Sequence, residues 1–238
     1  FRKWLTPDIP AGGVRFVIDD RGEDSITVAD GSSDQGLTQV IAAVQLWNEA
    51  AGGTLVAAPV RTAISVLHLA DGQNSIVFND PLGVCTGSCL AVAFIGGYDG
   101  SRTETINGVT FAAYTEVDIT FNASVNFTTH ADAGGPGCAG EFDIETIALH
   151  EMGHALGLGH SSNPAATMYA FASSCNPSGI PLDADDVAAI RCAYVNGAGC
   201  ALCENCPGFV PPTTMACGGG VFTFVKFGLT PPGNLVQL

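Results

Sequence analysis

Residues 150–160 read His150-Glu151-Met152-Gly153-His154-Ala155-Leu156-Gly157-Leu158-Gly159-His160, and this stretch decides how the rest of the chain is read. On a helix, His150 and His154 stand four positions apart and project from one face. Two imidazoles on one rigid face can hold a single metal ion. Glu151 follows the first histidine, close to the same point but angled away from it, which suits a base acting on water rather than a ligand. Gly157 permits the left-handed backbone that ends a helix, and the reversed chain brings His160 in as a third ligand. Three protein nitrogens leave the fourth tetrahedral position to water, as in a catalytic zinc site and unlike a closed structural one. A chance His-Glu-x-x-His on an amphipathic helix is the bland alternative. It explains poorly why three of the five histidines in the chain fall on these positions.

Working outward, Asp143 is a good N-cap for this helix, and Ile147, Ala148 and Leu149 supply its apolar contacts. Asp183 can cap a last helix. Upstream, Gly36 to Ala51 carries Val40, Ile41, Val44 and Trp47 at helical spacing and stops at Gly52-Gly53. Strand-like alternation occurs at Val14–Ile18, Ala63–Leu69, Ser75–Phe78, Leu90–Ile95 and Glu116–Asn122. Residues 123–141, rich in Gly, Thr and Ala, read as a surface loop, and Val221–Leu229 as a short hairpin strand. The pattern is that of a mixed α/β (α+β) domain over residues 1–197, followed by a Cys-rich extension, 198–238, of unknown role.

The chain has 238 residues, is 47% hydrophobic and carries a net charge of −15 with only eight basic residues. It is long enough to bury one full core. So acidic a chain argues against nucleic acid and anionic membranes as partners, because both require clustered Lys and Arg. No apolar run approaches the roughly 18 residues that suggest a membrane span. The chain opens at Phe1 without a charged leader, so a signal or pro-segment is expected to have been removed or left out.

Nine cysteines point to an exported, oxidised protein. Cys85 and Cys89 can close a small loop, and Cys175 and Cys192 can staple the segment between them. Cys138 is left over. Cys200, Cys203, Cys206 and Cys217 read as disulfides, with a metal site as the alternative. Acidic loops at 30–34, 71–80 and 132–143 offer oxygen ligands to calcium, although none spells a recognisable calcium loop. Asn122 and Asn126 head glycosylation sequons that matter only in a eukaryotic host.

The histidine motif resembles that of the metzincin metallopeptidases. Ser161 directly after the third histidine, Ala166-Thr167-Met168-Tyr169, and Leu182 to Ile190 make the likeness strongest to the matrixin branch, of matrix-metalloproteinase and bacterial type. Strong likeness covers about residues 140–195, looser likeness 14–122, and none extends beyond about 198. The resemblance implies a twisted five-stranded mixed sheet with an antiparallel edge strand, and three helices. It implies one catalytic Zn2+ on His150, His154 and His160, with Glu151 as general base and Met168 as an apolar floor that does not bind the metal. By strand order it makes Leu90, Ala91, Val92, Ala93 and Phe94 the edge that pairs with a substrate peptide. It places the specificity pocket at about residues 169–181, and pairs Phe1 with Asp185 while Asp186 supports the Met168 turn. His130 and Asp132 match the start of a second zinc site, but its other histidines are lacking, so His130 is read as a loop residue. The expected protein is a secreted zinc endopeptidase, a monomer acting on protein or peptide substrates. The alternatives are a non-enzymatic metal-containing binding or adhesion protein and a processing protease with one dedicated substrate.

Overall fold

The computed structural model describes residues 1–24, 26, 34–106, 110–129, 138–177 and 179–195, and the backbone of 109, 200–201, 214–217 and 220–224. Strands β1 (Arg2–Lys3), β2 (Phe16–Asp19), β3 (Val60–Thr62), β4 (Asn74–Val77), β5 (Ala91–Ile106) and β6 (Val109–Phe121) form one sheet. Strands β3, β2, β4 and β6 are parallel neighbours in that order, β1 pairs in parallel with Ala112 and Ala113 of β6, and β5 runs antiparallel along β6. Among the described residues β5 pairs with β6 alone, so it stands at an edge. Helices α1 (Leu37–Ala51) and α2 (Ile144–Ala155) pack on each other, and α3 (Ala184–Tyr194) packs on α1. Two-residue strands β7 (Phe127–Thr128) and β8 (Phe142–Asp143) pair just before α2, and β9 (Leu158–Ser161) follows it. Backbone strands β10 (Cys200–Ala201), β11 (Thr214–Cys217) and β12 (Gly220–Phe224) continue from β9 as a small antiparallel sheet.

The core forms where the sheet meets α1 and α2. Helix α1 buries Val40, Ala43, Val44 and Trp47 along one stripe, and Gly52 ends it in a left-handed conformation. Helix α2 buries most of its circumference, as an interior helix must. Trp47 is fully buried and its Nε1 donates to the Leu149 carbonyl at 2.8 Å, tying α1 to the helix that carries His150. Truncating such a tryptophan costs about 3–5 kcal/mol.

Several expectations need correction. The sheet has six strands rather than five, because Arg2–Lys3 adds a short one. Ala63–Leu69 is not a strand; the pairing with β2 is made by Val60–Thr62. Its alternation misled because Val66 and Leu69 are exposed and only Leu67 is buried, so the segment has no apolar face to set on a core. Residues 123–141 are not all surface loop, since Phe127, Thr128 and Thr129 are buried. Cys175 pairs with Cys138, not with Cys192, which lies inside α3 facing the core. The Cys85–Cys89 bond is present. Phe1 sits on β6, with its ring against Phe111 and its carbonyl accepting from Ala112 N, while Asp185 accepts from Ser161 Oγ. The first residue therefore lies on the sheet and not at the start of α3. Asn122 is buried with its amide on the Cys89 carbonyl, which leaves Asn126 as the exposed sequon. His130, Asp132, Cys203 and Cys206 lie outside the described residues, as do all of 225–229.

The N-terminal strand is held by a buried lysine. Lys3 Nζ donates to Glu104 Oε2 at 2.6 Å, to Thr6 Oγ1 at 3.1 Å and to the Trp4 carbonyl at 3.2 Å, which uses all three of its donors. It also lies 4.4 Å from the Tyr194 ring centroid. Burial lowers its pKa, and Glu104 opposes that shift. Lys3→Ala should lower unfolding stability by about 1.5–3 kcal/mol, the worth of a hydrogen bond to a charged group. Urea denaturation checks this; an unchanged midpoint and slope would show that the ion pair contributes nothing.

Candidate metal centre

Three local devices aim the histidines. Asp143 caps α2, its carboxylate accepting from Thr146 N at 3.1 Å and Thr146 Oγ1 at 2.5 Å. The helix ends at Leu156, and Gly157 (φ 93°) reverses the chain. A side chain there would be strained by φ and would also meet Arg2 O at 2.6 Å. The last helical carbonyls find unusual partners: Trp4 Nε1 donates to Ala155 O at 3.0 Å and Tyr194 OH to Leu156 O at 2.7 Å. β9 then carries His160 back over the helix.

His150, His154 and His160 come together, with one ligand nitrogen from each within 4.8 Å of the others. The Nε2 atoms of His154 and His160 are 3.2 Å apart. Two nitrogens bound tetrahedrally at about 2.0–2.1 Å to one zinc stand about 3.3 Å apart. Each helical ring is fixed from behind: His150 Nδ1 lies 2.7 Å from Thr167 O, and His154 Nδ1 2.8 Å from Leu158 O. A carbonyl only accepts, so both Nδ1 atoms carry the proton and both Nε2 atoms present a lone pair inward. Burial lowers the pKa of His150 well below the ordinary value and that of His154 to about 4, with the neighbouring histidines adding to both shifts; burial also lowers His160. All three rings are therefore neutral near pH 7, the state a metal ligand needs. The donor set fits a zinc ion.

Glu151 is buried beside this cluster. Burial pushes its carboxyl up to about 8, and a hydrogen bond from the Ala93 backbone works against the shift. Ala93 lies on β5, so the carboxylate of the residue next to His150 reaches the sheet edge. Met168 is fully buried beneath the histidine helix, and a Cβ on Gly153 would meet its sulfur at 2.2 Å and Trp47 at 2.9 Å. The Met168 turn is held by Asp186, which accepts from Thr167 N at 2.7 Å and Met168 N at 3.1 Å. Leu90 and Ala91 are buried, and Val92, Ala93 and Phe94 are half-buried along β5. A cavity of about 280 Å³ opens beside His150, lined by Ile147 and Thr146 on α2 and by Tyr169, Ala172, Asn176 and others after the Met168 turn. A larger cleft of about 800 Å³ lies on the sheet, lined in part by Trp4, Arg15 and Arg102. Four of these contacts are not legible in the sequence: the Ala93 link to Glu151, the two carbonyls behind the histidines, and the fit of Gly153 against Met168. Only the last left a trace in sequence, as the smallest residue between two histidines.

Residues 96–195 match the matrixin peptidase family. Human matrix metalloproteinase-20 is 40% identical over a stretch covering 27% of this chain and 17% of that protein. Matrilysin is 36% identical in the rat protein and 34% in the human one, each over 31% of this chain and 34% of the relative. The chain thus spans about a third or less of the length of these mammalian relatives. Nothing in these matches favours a bacterial-type affiliation.

Gly153→Ala should push Met168 and Trp47 apart, destabilising the fold by about 1–3 kcal/mol as an overpacked core does. Thermal unfolding of the variant checks this; an unchanged Tm would mean that the methionine floor yields freely.

Proposed function

We propose that this chain is a secreted zinc-dependent endopeptidase, with a catalytic domain over residues 1–197 and the Cys-rich segment 198–238 as an extension of unknown role. The observation that carries the reading is the convergence of three neutral imidazoles, two of which, His150 and His154, have their outer nitrogens already committed to carbonyls. The matrixin match over 96–195 supports it. His150, His154 and His160 would hold one zinc ion. Held there, zinc would supply a water of lowered pKa and a Lewis acid for the peptide carbonyl. Glu151 takes a proton from the attacking water and delivers it to the leaving amine.

The substrate is a protein or peptide lying extended along β5, with the backbone of Leu90–Phe94 as its hydrogen-bonding partner. The side chain beyond the scissile bond enters the cavity beside His150. An edge strand that touches the general base through Ala93 supports this pose, because it places the peptide and the base on one scaffold. No described helix is long and apolar enough to cross a membrane, and the protein is taken to act as a monomer outside the cell. Of the alternatives, a binding or adhesion protein would have no use for a buried carboxylate next to the metal cluster.

Calcium is the second ion proposed. Asp118 on β6 is fully buried, and its Oδ2 has no hydrogen-bond partner among the described residues. Burial raises its carboxyl to about 7, with Glu116 and Asp71 adding to the shift. An acid whose folded pKa lies above its unfolded value of 3.8 contributes stability at low pH and loses it as pH rises through about 7. Calcium held by Asp118 with Glu116 would offset that loss. Calcium should therefore raise Tm more at about pH 8 than at about pH 5, and Asp118→Asn should abolish the difference. An equal shift at both pH values would remove Asp118 from the site.

Glu151→Gln tests the chemistry. The amide keeps the shape but cannot take a proton, so turnover of a quenched peptide should fall by at least about 10²-fold while one zinc per chain is retained. Near-normal hydrolysis by the zinc-loaded variant would exclude Glu151 as the base.

A further inference from the structure

The outer wall of the cavity beside His150 is the stretch between Tyr169 and Gly179, which contains neither helix nor strand among its described residues. Its ends are fixed from within the site. Tyr169 bridges to Ser161, and the Gly179 carbonyl accepts from Thr167 Oγ1 at 2.7 Å. Its middle is fixed at Cys175. That residue forms the disulfide with Cys138, its amide donates to the Glu141 carbonyl at 2.9 Å, and Gly140 N approaches its sulfur at 3.4 Å. Cys175 also has φ of 56°, a left-handed conformation that a non-glycine residue keeps only where its surroundings over-determine it. The partner segment, Cys138 to Glu141, leads directly into Asp143, the cap of α2. The wall is thus bolted to the start of the helix that presents His150, and the cavity-lining residues Ala172, Ser173 and Asn176 flank the bolt.

We propose that the Cys138–Cys175 disulfide is the specificity-determining element of this site: it holds the cavity wall in one position and so sets which substrate side chain is accepted. The inference rests on the peptidase reading above. A pocket discriminates by shape only when its wall does not yield, and a loop ordered in advance does not have to be ordered by each substrate. None of the cavity's described lining residues is Asp, Glu, Lys or Arg. The accepted side chain is accordingly uncharged, with an apolar body against Ile147 and Ala172. Cys138 and Cys175 touch neither substrate nor metal in this account; they are positioning residues.

The test compares the zinc-loaded wild-type chain with the Cys138→Ala/Cys175→Ala double variant on a peptide library, with hydrogen exchange of residues 171–177 measured on the same samples. In the variant the wild-type preference for the side chain beyond the cleaved bond should flatten by about tenfold, and KM for the preferred peptide should rise about tenfold. kcat should fall less than about threefold, and exchange should quicken in 171–177 but not in α2. An unchanged preference and KM overturn the inference, and so does a uniform loss of kcat across all peptides. If the double variant does not fold, wild-type protein is reduced with a mild phosphine while still folded, and mass spectrometry verifies that the Cys138–Cys175 bond is open. Flattened preference that returns on re-oxidation supports the inference, and unchanged preference overturns it. Active wild-type enzyme with an indifferent variant sinks this inference alone, whereas a wild-type chain that cleaves no peptide sinks the peptidase reading and this inference together.

Discussion

The carbonyls of Thr167 and Leu158 take the outer protons of His150 and His154, and the arrangement of the site follows from that constraint. With Nδ1 committed, each ring has one tautomer and one direction in which its lone pair can point. Neither carbonyl belongs to α2. Leu158 lies just past the Gly157 reversal, and Thr167 lies in the turn that Asp186 holds by two backbone amides. The helix sets the spacing of the two histidines, but the loops around it set their orientation. The buried contacts that fix those loops, from Trp4, Tyr194 and Asp186, are therefore part of the site even though none of them reaches its centre.

Burial governs the electrostatics. The chain is strongly acidic, yet the cluster of three histidines remains neutral, because burial disfavours the charged rings and the neighbouring histidines add to that effect at His150 and His154. The same desolvation favours the protonated form of Glu151 and makes the Ala93 amide valuable, since that amide is the group on β5 that helps to stabilise the charged form. Through Ala93, the sheet edge is thereby connected to Glu151, the proposed base next to His150. A peptide added to β5 would register itself against the base through the strand it pairs with.

Much of this was legible in the sequence, for identifiable reasons. The His150–His160 spacing, the Asp143 and Asp183 caps and the Gly52 and Gly157 stops are local rules, and the chain obeys them. The support of the Met168 turn by Asp186 is implied by the matrixin resemblance, and the two amide contacts agree with it. What failed was non-local. Ala63–Leu69 had a strand's alternation but no face to bury. Spacing along the chain favours Cys192 as the partner of Cys175, whereas the fold supplies Cys138 from the segment before α2. The family resemblance implies that Phe1 pairs at the start of α3, whereas the Arg2–Lys3 pairing with β6 and the Lys3–Glu104 contact hold the N-terminal segment on the sheet. The full length of β5 is not legible because Gly96, Gly97 and Gly100 interrupt the apolar pattern that marks a strand; Gly96 and Gly97 lie where the Glu116 and Thr115 side chains approach closely.

The central claim is that three histidines, and no sulfur or carboxylate of this chain, hold one zinc ion with a position open to water. X-ray absorption at the zinc edge, recorded on the full chain loaded with one equivalent of zinc, tests this most directly. The account predicts a first shell of three imidazole nitrogens and one further light atom at about 2.0–2.1 Å. A sulfur shell at about 2.3 Å would place the metal among the cysteines instead and contradict the account.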